Sequence, residues 1–372
     1  MSKPFLSYFS GMKDHRINRK KLHPLENIIA IAITAIICNM ETWEEVALFG
    51  EDRKSFFSKF LDLKNGIPSK DTFRRFFAAL DPKVFEVHFN EWAKSITKNI
   101  DREFVSIDGK TERLASRMLE DSSIHLVSAW ASNNRIVLGQ VKTDEKSNEI
   151  TAIPELLDAL FLKGSIVTID AMGCQKKIVE KIVEKEADYI LAVKENHPTL
   201  YEDILRSFEK KRCQETLETL DYGHGRIEER KYSIIKDLNF IHDTESWQNL
   251  NSIARVDSRR TDKKTGEIQE HTRYYICSIT QLKQISEGVR NHWGVENQLH
   301  WCLDVGYGAD SSSKRAGFSS QNFSMVSKIT LNLIRMNSEN DEKRFKNKVG
   351  IKTKRKFAAL RDDYLLELLR SF

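Results

Sequence analysis

Several features are scarce or missing in this 372-residue sequence. Its five cysteines contain no Cys-x-x-Cys pair, which argues against a disulfide framework or a zinc finger and favours a reducing compartment. The strongest apolar run, residues 28–38, is too short to span a bilayer, and nothing resembles a signal peptide. No internal repeat or low-complexity tract stands out. We therefore expect a cytoplasmic protein that has no membrane partner.

The length and the charge distribution indicate the number of domains and the kind of ligand. A chain of 372 residues is longer than one core usually serves, so two or three domains are expected. The net charge of +5 is only mildly basic, but residues 343–361 contain nine Lys or Arg and no Asp or Glu, and residues 13–21 are also rich in basic side chains. Such runs are most often solvated faces, yet they are also typical of proteins that bind phosphates.

The first 98 residues predict helices only. The apolar run 28–38 indicates a buried helix. A later turn leads into a helix that Ser69 can cap and that carries the adjacent Arg74 and Arg75. Such a helix is suited to entering a DNA groove, and a plain surface helix of a small bundle is the alternative.

Two short apolar strands end in an acid. Residues 104–110 place Asp108 after a buried run, and residues 165–173 place Asp170 in the same way. Gly109 follows the first acid, so another chain or a ligand could approach closely there. Because an unpaired charge in apolar surroundings is costly, two such acids suggest a shared cation.

Around these acids the periodicity predicts a mixed α/β sheet. The expected order is strand, hairpin, helix, strand, helix, strand, with a hairpin over 125–143, a helix over 147–161 and a last strand at 189–193. This order matches a ribonuclease H-like fold, in which the first and fourth strands lie side by side. We divide the chain into an all-helical N-terminal domain that binds DNA (1–98), the first part of the core (99–197), a β-rich insertion (198–281), the completion of the core (282–340) and a basic C-terminal segment (341–372).

A third acid lies on a predicted helix over residues 285–304. At successive i, i+4 positions this helix carries His292, Glu296, His300 and Asp304, which fall on one face. A polar stripe flanked by apolar side chains suggests a helix that looks into a cleft. A zinc site built from the two histidines and Glu296 is disfavoured, because this spacing spreads the ligands along too long a line for one tetrahedral ion.

Motifs distributed over some 300 residues carry a resemblance to a known family. They include the stretches His23-Pro24-Leu25, Thr42-Trp43-Glu44-Glu45, Asn65-Gly66-Ile67-Pro68-Ser69, Ile107-Asp108-Gly109-Lys110-Thr111, Leu138-Gly139-Gln140, Ile169-Asp170-Ala171-Met172-Gly173-Cys174-Gln175, Arg290-Asn291-His292-Trp293 and Val295-Glu296-Asn297. In this order they resemble the DDE transposases of bacterial insertion sequences, in the group that includes the H-repeat-associated proteins. The chain departs from that pattern at Glu112-Arg113 and at Glu195.

The resemblance implies a ribonuclease H-like core in which Asp108, Asp170 and Glu296 form the catalytic triad. Two Mg²⁺ ions, for which Mn²⁺ is expected to substitute, would be held with Asp108 shared between them. The expected DNA contacts are Lys110, Lys194, Arg226, Arg290, His292, Arg74 and Arg75. Residues expected to support the acids are Asn297, His300 and Asp304.

These features predict a transposase that binds double-stranded DNA, both the terminal inverted repeats of its element and the target. It would cleave the ends and transfer them to the target, working as a homodimer on DNA. Two alternatives stay open. One is a nuclease of the same fold without strand transfer, and the other is an inactive or domesticated relative that still binds DNA.

Overall fold

The computed structural model describes residues 4–16, 21–97, 102–113, 123–143, 149–210, 213–223, 225–309, 314 and 316–369. Within them one sheet has the strand order β3-β2-β1-β4-β5-β9-β8-β7-β6. The strands are β1 (Phe104–Arg113), β2 (Ser123–Ala131), β3 (Ile136–Thr143), β4 (Ile166–Ile169), β5 (Asp188–Val193), β6 (Glu215–Gly223), β7 (Arg226–Ile235), β8 (Ser252–Asp262) and β9 (Ile268–Cys277). The mixed α/β sheet and the adjacency of the first and fourth strands are confirmed.

The core half of the sheet comprises β1 to β5. β1 pairs antiparallel with β2 along its whole length and parallel with β4 from Phe104 to Ile107. The prediction that Asp108 ends a short strand is therefore wrong for β1 itself, which continues to Arg113. It holds for the pairing with β4, which stops at Ile107 opposite Ile169.

Helices cover both sides of this half and make up the N-terminal segment. Those of the first 97 residues are α1 (Leu25–Ile37), α2 (Trp43–Asp52), α3 (Lys54–Phe57), α4 (Lys70–Ala79) and α5 (Pro82–Ile96), after a 3₁₀ turn at Phe5–Tyr8. Ser69 caps α4 as expected, because its side chain accepts from the amide of Thr72.

The later helices alternate with strands and then close the chain. They are α6 (Glu149–Ala159), α7 (Lys176–Glu184), α8 (Pro198–Lys210), α9 (Leu282–Gly294), α10 (Trp301–Tyr307), α11 (Ser319–Met336), α12 (Ser338–Arg344), α13 (Ile351–Leu360) and α14 (Asp362–Leu368). The predicted start of α6, at residue 147, lies outside the described residues. Among those that are described, no helix is both long and apolar enough to cross a membrane.

The N-terminal helices share their core with the C-terminal ones. A single hydrophobic cluster joins side chains of α1 and α5 to those of α11 and α14. The basic C-terminal segment takes part in it through Ala358 and Tyr364. In the same segment Arg355 is buried, and its guanidinium donates to the carbonyls of Ile36 and Gly306. The division of the chain into domains at residues 98 and 341 stays a prediction.

The predicted β-rich insertion extends the same sheet. β9 pairs antiparallel with β5, and β8, β7 and β6 follow outward. The ends of these strands nearest the core are buried, whereas their outer ends are half-buried or exposed on both faces. We call the part formed by residues 215–232 and 255–273 the projecting sheet. It reaches beyond Val193, where β5 ends.

The predicted helix over 285–304 is present, but it is not uniform. α9 runs to Gly294, a π-helical stretch follows at Val295–His300, and α10 continues to Tyr307. α9 packs closely on the sheet at Gly288, where a Cβ atom would lie 2.4 Å from the side chain of Ile190. Such π-helical insertions are frequent at functional sites because they change the direction of side chains along a helix.

Candidate functional site

Asp108 and Asp170 lie side by side at the centre of the sheet. The parallel register pairs Ile107 with Ile169, so the two aspartates are the next residues on neighbouring strands. Their side chains leave the sheet on the side of α9. This follows from Thr168, two residues before Asp170, whose hydroxyl lies 3.0 Å from Nδ1 of His292. The adjacency that the sequence suggested is thus present.

Glu296 adds a third carboxylate from the π-helical stretch. Its side chain is exposed and forms no hydrogen bond or ion pair within the described residues. Burial and the charges of Asp170, Glu296 and Glu149 raise the pKa of Asp108 from 3.8 to about 7. Like charges disfavour ionisation of a neighbouring carboxyl, so Asp170 and Glu296 both lie within electrostatic reach of Asp108.

The side chains around Asp108 do not neutralise it. Nδ1 of His300 lies 3.5 Å from Oδ2 of Asp108, but burial lowers the pKa of His300 to about 3, so this imidazole is neutral. Lys110 forms its ion pair with Asp304 of α10 instead. Within the described ranges, no lysine or arginine pairs with Asp108. His292, the other histidine of the stripe, is likewise neutral, because burial lowers its pKa to about 4.

The free oxygens suit a hard divalent cation better than a soft one. Oδ1 of Asp170 accepts from the amides of Met172 and Gly173, and its Oδ2 has no donor among the described residues. Oxygen-only ligands favour Mg²⁺, which binds through one or two carboxylates and keeps several waters. In the described part of the chain, no three His, Cys, Asp or Glu side chains converge closely enough to hold a metal ion by themselves. The acids thus present carboxylate oxygens to a divalent cation without forming a closed protein cage among the described residues.

The predicted DNA contacts fall into two groups. Lys194, Arg226 and Arg75 are exposed and form no ion pair among the described residues. The others already have partners. Arg74 forms an ion pair with Asp71, Lys110 with Asp304, and Arg290 with Asp221 and Glu228. His292 forms a hydrogen bond with Thr168. Among the expected supporting residues, His300 and Asp304 lie near the acids. Asn297 instead donates to the carbonyl of Trp293 in its own helix.

Sequence reasoning missed a buried lysine beside the acids. Lys328 of α11 is 1% exposed, and its ammonium donates to Ser128 Oγ and Gln140 Oε1. Ser128 stands directly opposite Asp108 in the β1–β2 register. Burial lowers the pKa of Lys328 to about 8. The signal was present as a lone charge within residues 319–334, which are otherwise uncharged.

A second missed group supports β1 from the opposite side of the sheet. His125 lies 2.6 Å from Glu149 Oε1 and 2.8 Å from the hydroxyl of Thr111. Both side chains fill the space over Gly109, where a Cβ atom would come 2.2 Å from Glu149. The close approach that the glycine predicted is therefore an internal contact. It braces the strand directly beside Asp108.

Two known family models together match most of the chain. Residues 99–333 match the family model described as Transposase DDE domain, and residues 6–93 match the model described as DDE_Tnp_1-associated. The chain therefore belongs to the DDE transposase family, in the group of H-repeat-associated proteins.

Individual relatives span the same length. The chain is 38% identical to "Putative transposase YncI" of Escherichia coli O157:H7, over 98% of this chain and 94% of that protein. It is 36% identical to "H repeat-associated putative transposase YhhI" of Escherichia coli K12, over 99% and 98%. Among solved structures, a piggyBac transposase in a synaptic complex with hairpin DNA aligns with 98% of this chain and 78% of its own, at 10% identity and a TM-score of 0.48. That score is too low to support an argument about fold or function.

Proposed function

We propose that this protein is an active transposase that cleaves DNA at the ends of an insertion sequence and joins those ends to target DNA. One observation carries the proposal: Asp108 and Asp170 occupy adjacent positions on paired parallel strands, and Glu296 is close enough to perturb Asp108. Membership of the DDE transposase family supports the same activity.

The proposed chemistry is in-line displacement at phosphorus. Asp108, Asp170 and Glu296 would hold Mg²⁺, or Mn²⁺ in its place, and these ions would activate the attacking oxygen and stabilise the leaving one. The residues around the acids have positioning roles. Lys110 holds Asp304, His292 holds the end of β4 through Thr168, and neutral His300 contacts Asp108 without cancelling its charge.

The proposed substrates are the inverted repeats at the ends of the element and a duplex target. Lys194, Arg226 and Arg75 form no ion pair among the described residues, whereas Arg290 already pairs with Asp221 and Glu228 of the projecting sheet. Two ends have to be cut in concert, so we propose a homodimer on DNA. Sedimentation with and without a duplex carrying the end tests that assembly.

The deciding experiment is cleavage of a duplex that carries the element's own end, with Mg²⁺ and with EDTA, for the wild type and Glu296→Gln. We expect the wild type to nick the duplex at the element's end in the presence of Mg²⁺. The substitution Glu296→Gln should abolish this nicking. Strand-transfer products from a pre-cleaved end would distinguish a transposase from a plain nuclease. Specific binding without cutting in the wild type would instead identify an inactive relative that still recognises its DNA.

A further inference from the structure

The projecting sheet has two faces that differ in how their charges are paired. Side chains alternate between the faces, and the register of the four strands is continuous. Tyr232 and Val256 share a hydrophobic cluster with Val289 of α9, so the face that carries them looks toward this helix. We call it the near face, and the opposite one the far face.

On the far face each cation has a partner. Lys231 pairs with Glu218, Arg255 with Asp257, and Arg259 with Glu270, at 3.6, 2.9 and 3.6 Å. The remaining acid on this face is Glu229, which leaves the far face without surplus positive charge. A surface of this kind offers little attraction to a polyanion.

On the near face three arginines form no ion pair among the described residues, although Arg226 stands opposite Asp262 and Arg260 opposite Glu228 in the β7–β8 register. Arg273 stands opposite Val256, Arg260 lies four residues beyond Val256 on β8, and Arg226 starts β7. The acids of this face are already engaged. Arg230 and Arg290 share Asp221 and Glu228, and Asp262 accepts from the amides of Lys264 and Thr265. The exposed Arg226 and the half-buried Arg260 and Arg273 therefore remain for an external anion.

The near face is continuous with the acid cluster. Ile169, Leu191 and Ile276 are level across β4, β5 and β9, so Asp170 is level with Tyr275. With strands about 4.8 Å apart and a rise of about 3.3 Å per residue, Arg273 lies about 12 Å from Asp170 and Arg260 about 25 Å. The guanidinium of Arg273 stacks over Trp293 of α9, 4.9 Å from the ring centroid, three residues before Glu296.

We propose that the near face of the projecting sheet is the platform on which duplex DNA lies as it enters the acid cluster, with Arg273, Arg260 and Arg226 contacting backbone phosphates along the duplex. The assignment rests on the proposed function, since it presumes that the acids act on DNA. Guanidinium groups suit phosphate oxygens because they donate in a planar fork. A distance of about 25 Å corresponds to about seven base pairs of duplex.

The chain offers a matched pair for the test, because Arg259 and Arg260 are adjacent on β8 and point to opposite faces. Affinity for a fluorescent duplex would be measured by anisotropy over a series of salt concentrations, with the full-length protein. For Arg260→Gln we expect a severalfold loss of affinity and a decrease of about 0.9 in the slope of log K against log salt, the loss of one phosphate contact. For Arg259→Gln we expect neither. Arg226→Gln and Arg273→Gln should behave as Arg260→Gln does.

Each other outcome overturns the assignment in a recognisable way. Equal effects of Arg259→Gln and Arg260→Gln would mean that DNA affinity depends on the net charge of the projecting sheet and not on which face carries the arginine. If Arg260→Gln changed self-association in sedimentation but not DNA affinity, the near face would be a contact between two copies of the chain. If the wild type did not bind duplex DNA at all, the proposed function would fail together with this platform. Thermal unfolding of each variant checks that the fold is intact.

Discussion

The two halves of the nine-stranded sheet use the same hydrogen-bonding pattern for different purposes. In the core half, helices cover both faces, and side chains such as Ile107 and Ile169 are almost completely buried. In the projecting sheet, both faces meet solvent, and exposed side chains such as Tyr222 and Ile268 mark its tip. The comparison suggests that burial holds the acids in place, whereas the open half remains free to bind a large ligand.

The largest difference should appear when an acid is neutralised in each half. Asp108→Asn removes a proposed metal ligand, so we expect cleavage to fall on the order of 10³-fold, equivalent to several kcal/mol of transition-state stabilisation. DNA binding should survive. Asp257→Asn, an equal change of charge on the far face of the projecting sheet, should leave cleavage within about twofold of the wild type. Single-turnover cleavage assays measure both.

The opposite result would be informative. Retained cleavage in Asp108→Asn, with an intact fold by circular dichroism, would remove Asp108 from the triad. A large loss in Asp257→Asn would instead show that the projecting sheet takes part in more than DNA binding.

The next largest difference between the two halves should be in the loss of unfolding free energy when a side chain is truncated. Ile190 of β5 is 1% exposed and packs under Gly288, while Ile268 at the tip is 47% exposed. Ile190→Ala should cost about 2–5 kcal/mol of unfolding free energy, because it removes transfer energy and leaves a cavity. Ile268→Ala should stay within about 0.5 kcal/mol. Chemical denaturation of the two variants gives the comparison directly, and similar losses would mean that the tip is covered in solution.

Much of the core half could be predicted because its signals are local. Each of two short apolar runs leads into an acid, and parallel strands bring such ends together, so the adjacency of Asp108 and Asp170 followed from the sequence. The sequence did not predict that the insertion continues the same sheet. It depends on β9 pairing with the open edge of β5, a contact between segments more than 70 residues apart in the sequence.

Two features of the site also escaped prediction for physical reasons. The π-helical stretch at Val295–His300 changes helical geometry without any change in hydrophobic pattern, so periodicity does not reveal it. The ion pairs of Arg290 with Asp221 and Glu228 were not predicted either, because they depend on β6 and β7 lying beside α9, and its contact with DNA stays a prediction. Partners of a charged side chain are a tertiary property, which a single sequence does not encode locally.

A smaller effect concerns the pH dependence of stability, which should arise from the core half. Because the pKa of Asp108 is raised from 3.8 to about 7, the folded state binds more protons than the unfolded state between these values. Metal-free protein should therefore lose stability as pH rises from about 4 to about 7, by on the order of 4 kcal/mol from this group. Asp108→Asn should abolish this part of the slope, whereas Asp257→Asn should keep it.

The measurement is denaturant unfolding at several pH values in EDTA. Adding Mg²⁺ above pH 7 should restore stability in the wild type, by about 2.7 kcal/mol at a hundredfold excess over the dissociation constant, and should do less for Asp108→Asn. An identical response to Mg²⁺ in the two proteins would mean that the ion binds elsewhere.

The smallest expected effect is at the junction between the halves, where Arg290 of α9 reaches Asp221 and Glu228 at 3.2 and 3.8 Å. The arginine is about half exposed, so solvent screens the pairs, and Arg290→Gln should cost no more than about 1 kcal/mol of unfolding free energy. Its effect on DNA binding should be distinct from that of Arg260→Gln. Since Arg290 already has partners, its loss should leave the salt dependence of affinity almost unchanged. A decrease in the salt slope as large as that of Arg260→Gln would mean that Arg290 exchanges its carboxylate partners for phosphates when DNA binds, and that the junction belongs to the binding surface.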